Sequence, residues 1–208
     1  MYKILFIDSL TTGKDPYSCA IYRLGGIFTV NGEEKLRFEL RMRPHDTASI
    51  REESIWIGGE TRTTLIYYQD QREVFKQFIE LLDKYVDVHN ANDKLFLAGF
   101  NTSQLEYPFL NNWFSRNRNK RFNDYFYKQP IDLMCISNFL FIKKRPYLVD
   151  YKMETAAKLF GLTVPAEKEI NCINNAKVSL DMFRKAMRDC GIGDCQMLAP
   201  AEKTYKNF

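Results

Sequence analysis

The sequence contains few of the residues that cross-link small domains or bind structural zinc. Its five cysteines form no Cys-x-x-Cys pair, and its only two histidines are His45 and His89. The cysteines are scattered along the chain at Cys19, Cys135, Cys172, Cys190 and Cys195. A disulfide framework and a zinc knuckle both need paired, closely spaced ligands. We therefore expect free thiols in a reducing compartment.

A strong excess of one charge and a long hydrophobic run are also missing. The chain has 30 Lys and Arg against 26 Asp and Glu, a formal net charge of +4, which by itself does not indicate a nucleic-acid partner. The first apolar stretch, MYKILFID, ends at Asp8, is shorter than a membrane span and lacks a small-residue cleavage site. We expect a cytoplasmic protein without membrane contact, in the host cytoplasm or the virion if the source is viral.

The residues that are present are sufficient for a packed core. Of the 208 residues, 45% are hydrophobic and 14% aromatic, which excludes disordered, collagen-like and low-complexity chains. No internal repeat or linker divides the sequence. We predict one domain over residues 1–190, followed by a polar tail or docking arm over residues 191–208. Usage rich in Lys, Asn and Tyr is typical of an AT-rich genome such as that of a phage.

The apolar patterns predict strands first and then strands alternating with helices. A buried strand from Lys3 to Ile7 leads to Asp8, and a further buried strand covers residues 95–100. Between them, Asn31-Gly32 joins two strands, residues 20–30 and 33–42, through a type I′ turn. Helices are predicted over residues 74–88, 104–114, 133–142, 149–160 and 175–190. This order is typical of a single α/β domain with a mixed sheet.

Three segments carry motif-like residues. The first is ILFIDSLTTGKDP followed by AIYRLGGIF, the second is Phe96-Leu-Ala-Gly-Phe-Asn101 followed by Leu105-Glu106-Tyr-Pro-Phe-Leu110, and the third is Asn174-Asn175-Ala176-Lys-Val-Ser179. In order and spacing they resemble the motifs of the DEDD 3′-5′ exonucleases, of the proofreading and RNase T type. The resemblance implies an RNase H-like α/β fold, with a mixed sheet flanked by helices.

The resemblance also implies phosphodiester cleavage by two divalent metal ions held by clustered carboxylates. The first motif of the family has two acids, two residues apart, whose side chains lean toward the same side of a strand. This chain has Asp8 at the first position and Leu10 at the second, and leucine cannot ligate Mg²⁺. One metal ion therefore loses a ligand.

The second and third motifs depart from the family as well. Glu106 stands where the family has Asp and could still reach a cation, whereas Ser179 replaces the last acid. Asp181 would lie roughly 200° round the helix from Ser179. It is expected to face solvent, because the apolar stripe of this helix must face the core.

The general base of the family is missing too. Its His corresponds to Asn174, and the Tyr of the other branch corresponds to Asn175; an amide cannot accept the proton of a water. Of four carboxylates and one base, Asp8 is unchanged and Glu106 is altered. We therefore predict a pseudo-exonuclease with no cofactor, or with a weakly bound Mg²⁺ or Mn²⁺ at Asp8 and Glu106.

A scaffold without turnover would serve as a structural or binding component of a larger assembly with protein partners, for example a phage virion or a replication complex. Aromatic residues without clear periodicity favour such interfaces, although they could equally form a satellite core. They are Tyr67, Tyr68, Phe122, Tyr125, Phe126 and Tyr127.

Two further functions stay open. One is non-catalytic binding of single-stranded nucleic acid, in which cations neutralise phosphates and rings stack on bases. Its candidate residues are Thr11, Thr12 and Asn101 in the motifs and the basic cluster Arg116, Arg118, Lys120 and Arg121, with a second basic cluster at Lys143, Lys144 and Arg145. The other is an active metal-dependent 3′-5′ exonuclease with an altered site that uses Asp8, Glu106 and either Asp181 or Asp15.

Overall fold

The computed structural model describes residues 1–164 and 171–192. A six-stranded sheet in the order β4-β3-β2-β1-β5-β6 lies at its centre. The strands are β1 (Lys3–Thr11), β2 (Ile21–Val30), β3 (Glu33–Arg43), β4 (Gln69–Asp70), β5 (Phe96–Gly99) and β6 (Ile131–Asp132). The sheet is mixed, because β1, β2 and β3 are antiparallel whereas β5 is parallel to β1 and β6 to β5. The predicted mixed α/β sheet is confirmed.

The β2–β3 hairpin is confirmed at its turn. Asn31 and Gly32 have φ angles of 50° and 80°, the two positive values that a type I′ turn requires. The first strand is longer than predicted, since it pairs with β2 up to Thr11 instead of stopping before Asp8. Asp8 therefore lies inside a strand that is hydrogen-bonded on one side to β2.

Eight α-helices are described. They are α1 (Glu52–Trp56), α2 (Arg62–Ile66), α3 (Gln71–Asp83), α4 (Glu106–Arg116), α5 (Phe122–Tyr125), α6 (Leu133–Leu140), α7 (Met153–Leu159) and α8 (Cys172–Asp189), with a 3₁₀ turn at Arg145–Tyr147. The five predicted helices correspond to α3, α4, α6, α7 and α8. The short elements α1, α2, α5, β4 and β6 have too few turns or residues for a periodic pattern.

Local hydrogen bonds explain where two of these helices begin. The Asp150 carboxylate accepts hydrogen bonds from the Lys152 N–H (3.2 Å) and the Thr155 hydroxyl (2.6 Å), so α7 starts after it rather than at residue 149. The Asn171 side chain accepts the Asn174 N–H at 2.8 Å, which caps α8 three residues earlier than predicted.

Helices cover both faces of the sheet. On one face, side chains of β1 and β2 pack against α3 and α4 through Leu5, Phe28, Phe78, Trp113 and Phe114. On the other face, alternate residues of β1 pack against α8 through Ile4, Phe6, Ala176 and Leu180. Some of the aromatic residues that were considered for interfaces are buried, and others are exposed. Phe122, Tyr125 and Phe126 belong to the core, whereas Tyr67 is 81% exposed.

Two further predictions concern the chain as a whole. None of the helices in the described ranges is long and apolar enough to cross a bilayer. The predicted tail or docking arm falls mostly on residues 193–208, outside the described residues.

Candidate functional site

Asp8 lies on β1 with its side chain toward α8. The Asn175 amide donates a hydrogen bond to its Oδ2 at 3.2 Å. Burial raises the pKa of Asp8 to about 7, although the Asn175 amide and the Cys172 thiol lower it; the charge of Glu154 raises it further. The Asn175 amide thus occupies an Asp8 oxygen that could otherwise coordinate a metal ion.

Helix α8 lies against Asp8 because β2 has a glycine at the point of closest approach. Gly25 pairs with Asp8 across the β1–β2 ladder. A Cβ atom at Gly25 would come within 2.6 Å of Cys172 Cβ and 2.7 Å of the Ile173 backbone nitrogen. Only glycine allows the first turn of α8 to approach the sheet this closely.

Glu106 begins α4 and is held beside Asp8 by the loop that follows β5. Asp132 orders this loop by accepting hydrogen bonds from the backbone N–H groups of Asn101 and Ser103, both at 3.0 Å. Glu106 is 1% exposed, and the Ser9 hydroxyl donates to its Oε1 at 3.1 Å.

The environment of Glu106 favours its protonated form. Burial, followed by the charge of Asp8, raises the pKa of Glu106 to about 8. Its Oε2 atom is buried and has no hydrogen-bond partner within the described residues; the same is true of the Thr102 hydroxyl, which lies close enough to lower this pKa. Burying an unpaired carboxylate oxygen costs less when the group is neutral.

Leu10 is the residue that the resemblance would align with the second acid of the first motif. It packs at the edge of an apolar cluster formed by Tyr22, Ile55 and Leu65. Its Cδ1 is so close to Gly58 that a Cβ there would lie 2.7 Å from it. This side of β1 therefore carries Asp8 followed by an apolar contact.

A buried ion pair lies beside Leu10. Arg23, which is opposite Leu10 in the β1–β2 ladder, pairs with Glu60 at 2.6 Å, and both side chains are 9% exposed. Glu60 also accepts hydrogen bonds from the Thr64 hydroxyl, at 2.7 Å, and the Tyr68 hydroxyl. These contacts hold the segment with α1 and α2 against the sheet next to the Leu10 cluster.

The third motif-like segment lies on α8 next to the site, but it contributes no acidic side chain there. Ser179 is 1% exposed on α8, and Asn174 contributes its N–H to the helix cap. Asp181 is paired with Lys177 and lies 3.9 Å from Arg184. Its expected position away from the site is confirmed. Asp15 forms a local turn with the Ser18 hydroxyl at 2.5 Å.

Two residues near Asp8 were not predicted. Glu154 of α7 acts on Asp8 through its charge, and the Cys172 thiol has a raised pKa because of burial and the Asp8 charge. Neither residue stands at a motif position in the sequence. Only the packing of α7 and α8 brings them near β1. Even with Glu154, residues 1–164 and 171–192 contain no group of three or more His, Cys, Asp or Glu side chains placed to hold a metal ion.

The nucleic-acid-binding candidates in the motifs mostly make contacts within the protein itself. The Thr11 hydroxyl donates to the Gly13 carbonyl at 2.7 Å. Thr12 is fully buried, and its hydroxyl joins Ser49 to Ala20. Asn101 has a φ angle of 61° at the turn before α4. These residues shape the loops around Asp8, and Thr12 has no surface left for a ligand.

The basic cluster lies far from the carboxylates. Glu106 is at the start of α4, and the cluster begins at its last residue, Arg116, which is about 15 Å further along the helix axis at 1.5 Å per residue. Arg116 donates to the Tyr17 carbonyl at 2.6 Å. Arg118, Lys120 and Arg121 line an open groove of about 1260 Å³ that also contains Arg72 and Lys76 of α3.

The chain was compared with known proteins. Solved structures of exonuclease I superpose on it: one has a TM-score of 0.71 at 16% identity and covers 91% of this chain and 41% of its own. E. coli exonuclease I in complex with a dT13 oligonucleotide has a TM-score of 0.67 at 15% identity and covers 90% of this chain and 41% of its own. Exonuclease I in a structure with SSB and an inhibitor has a TM-score of 0.69 at 14% identity, covering 91% and 42%.

No family model matches the chain, and no curated protein matches it. The chain spans about two fifths of the length of the exonuclease I chains, of which 41% and 42% are covered. At 14% to 16% sequence identity, the similarity to the exonuclease I structures shows a shared fold. The chain has the mixed α/β fold of these exonuclease I structures, in agreement with the RNase H-like fold predicted above.

Proposed function

We propose that the protein is a pseudo-exonuclease, which keeps the exonuclease fold as a binding or structural component of a larger assembly in the cytoplasm or a virion. The observation that carries this proposal is the contact of Leu10 with Tyr22 and Ile55. A two-metal site needs oxygen ligands at this position, and an apolar cluster excludes both the ion and its waters.

The remaining donors do not fit a pair of Mg²⁺ or Mn²⁺ ions. Asp8 Oδ2 accepts from Asn175, and Glu106 Oε1 accepts from Ser9. Burial raises the pKa of both carboxyls, and the charge of Asp8 raises that of Glu106 further, so a cation at this pair would compete with protons.

The test is an exonuclease assay with a matched mutant. A 5′-labelled single strand of DNA, and in parallel one of RNA, is incubated with the full chain and with Asp8→Ala in the presence of Mg²⁺ or Mn²⁺. We expect no shortening by either protein. Degradation that disappears in Asp8→Ala would establish the alternative, an active exonuclease with an altered site. A further loss in Glu154→Gln, at unchanged stability, would then identify the third acid.

The assembly role is tested separately. The protein purified gently from its native source is expected to elute from a sizing column in a species several times larger than its 24.5 kDa chain. A monomer at all concentrations, together with an inactive nuclease assay, would contradict the assembly role and leave the degenerate site intact.

A second candidate function is binding of single-stranded nucleic acid, and a specific observation favours it. The open groove at the end of α4 contains five cations, Arg72 and Lys76 of α3 and Arg118, Lys120 and Arg121 of the segment between α4 and α5. Two of them pair with neighbouring acids, Lys76 with Glu73 and Arg121 with Asp124. The other three remain available to phosphates, whose neutralisation is the main source of sequence-independent affinity.

A further inference from the structure

An apolar groove of about 430 Å³ runs between α6 and the second half of α8. Its walls are formed mainly by Ile136, Phe139, Leu140, Phe183, Ala186 and Met187. Phe139 is 79% exposed, although a phenylalanine on a helix is normally buried against a neighbouring element. We refer to this feature as the α6–α8 groove.

The chain that leaves the groove at the end of α6 is both apolar and basic. Ile142, Tyr147 and Val149 are each more than two thirds exposed. Between them lie Lys143, Lys144 and Arg145, and none of these three cations has a carboxylate within ion-pair distance in the described part of the chain. Lys144 instead lies over the Phe141 ring, and Arg145 over the Tyr151 ring at 4.4 Å. We refer to residues 142–149 as the basic rim.

The shape and chemistry of this surface distinguish between partners. The groove between α6 and α8 can receive an elongated apolar ridge, and Phe139, which is 79% exposed, is accessible to it. Single-stranded nucleic acid stacks on aromatic rings, whereas Ile136, Leu140, Ala186 and Met187 are aliphatic. A concave aliphatic and aromatic wall beside unpaired cations is suited to a helix whose apolar face enters the groove and whose acidic face meets the cations.

We propose that the α6–α8 groove and the basic rim form a docking site for an acidic amphipathic helix of a partner protein. Phe139 and Met187 contact its apolar residues, and Lys143, Lys144 and Arg145 contact its carboxylates. The site is remote from Asp8 and Glu106, so it does not depend on whether those carboxyls are catalytic. It gives the proposed assembly role a definite surface and a definite chemistry.

The experiment measures binding of a synthetic helix to the full chain by fluorescence anisotropy. The probe is a fluorescein-labelled 16-residue peptide with Leu and Phe at helical spacing and Glu at the other positions. Its control has the same composition in an order that destroys the apolar face. The probe is expected to bind at least about tenfold more tightly than the control, since one tenfold step corresponds to about 1.4 kcal/mol, a typical interface anchor.

Three variants test whether the probe binds at the α6–α8 groove and the basic rim. Phe139→Ser removes an exposed side chain, so the fold should be retained, and it should weaken probe binding about tenfold or more. Lys143→Glu/Lys144→Glu/Arg145→Glu should weaken it and remove its salt dependence. Tyr67→Ser, which removes an equally exposed ring directly after α2, should leave probe binding unchanged.

Several results would overturn the proposal. Equal binding of the probe and the scrambled control would do so, as would probe binding that is unaffected by Phe139→Ser. Binding of phosphatidylserine vesicles or of a dT oligonucleotide that is lost in the same variants, without probe binding, would assign the surface to another partner. An affinity that increases in Met197→Ser/Leu198→Ser would show that the chain's own C-terminal segment competes for the groove.

Discussion

At the scale of single residues, the candidate site combines two buried acids with apolar and amide neighbours. Leu10 packs against an apolar cluster, and Asn175 donates to Asp8. The two acids that remain are so buried that their pKa values rise to about 7 and about 8. Each feature favours a closed, neutral pocket over a charged one that could attract cations.

This neutrality predicts an unusual dependence of stability on pH. A carboxyl whose pKa is higher in the folded than in the unfolded chain binds its proton more tightly when folded. The free energy of unfolding should therefore fall as the pH rises from about 4 to about 8. For Glu106, the shift from 4.5 to about 8 corresponds to about 5 kcal/mol.

Urea unfolding at several pH values measures this effect, with Glu106→Gln as the matched control. The glutamine has nearly the same shape and no titration, so its stability should fall less steeply over this range. Subtracting the two profiles removes the contributions of groups that do not interact with Glu106, such as His45, whose pKa is lowered by burial and by Arg116. The difference then reports the titration of the coupled pair of Glu106 and Asp8. Parallel profiles would contradict the raised pKa of Glu106.

At the scale of elements, the site depends on how α8 meets the sheet. Cys172 and Asn175 lie in the first turn of α8, next to Asp8, because Gly25 leaves room for the helix. The opposite wall depends on the loop between β5 and α4, whose backbone is fixed by Asp132. The carboxyl pair is thus held between two helix starts, each positioned by one small or polar residue.

A single methyl group should disturb this arrangement. Gly25→Ala places a Cβ within 2.7 Å of the backbone of α8, which cannot move aside as a flexible side chain could. We expect a loss of about 3 kcal/mol in the free energy of unfolding, measured by chemical denaturation.

Gly59→Ala is the control for this prediction. Gly59 has a φ of 73° and no atom within 4 Å of an added Cβ, so only backbone strain of about 1 kcal/mol is expected. Equal losses in both variants would mean that the close approach of α8 is not the reason for the glycine at position 25.

At the scale of the whole molecule, charge and hydrophobicity are separated. The buried carboxyl pair lies near the ends of β1 and β5, the basic groove at the far end of α4, and the α6–α8 groove against the last helix. A net charge of +4 does not reveal this separation. Each surface can therefore be altered without changing the others.

Nucleic-acid binding should depend on the cations of the basic groove and not on the other surfaces. Arg118→Glu/Lys120→Glu/Arg121→Glu is expected to weaken binding of a dT oligonucleotide and to reduce the slope of log affinity against log salt by about 2 to 3. Filter binding over a range of salt concentrations measures both effects.

The matched control has the same change of charge at residues 143–145. Lys143→Glu/Lys144→Glu/Arg145→Glu should leave oligonucleotide binding unchanged and weaken the acidic helix probe, whereas the first triple variant should do the reverse. If both variants weaken both ligands equally, general electrostatic attraction accounts for the binding, and neither surface is specific.

Much of the fold could be predicted because it depends on local patterns. Asn31-Gly32 specifies its turn by itself, and Asp132 caps α6 by accepting the Met134 N–H. The same holds for the position of Asp181, which follows from the apolar stripe of α8. The added residues of β1 could not be predicted, because their pairing with β2 is a contact between segments distant in sequence.

The sequence by itself determined the order of strands and helices, the hairpin, and the identity of the acids and amides at the motif positions, since these depend on spacing along the chain. Only the tertiary structure decided which groups meet: Asn175 with Asp8, Ser9 with Glu106, Leu10 with Tyr22, and Glu154 within electrostatic reach of Asp8. The raised pKa values of the two acids were decided there too. A pKa depends on the solvent and charges that the packed chain places around a group, and no short stretch of sequence contains that information.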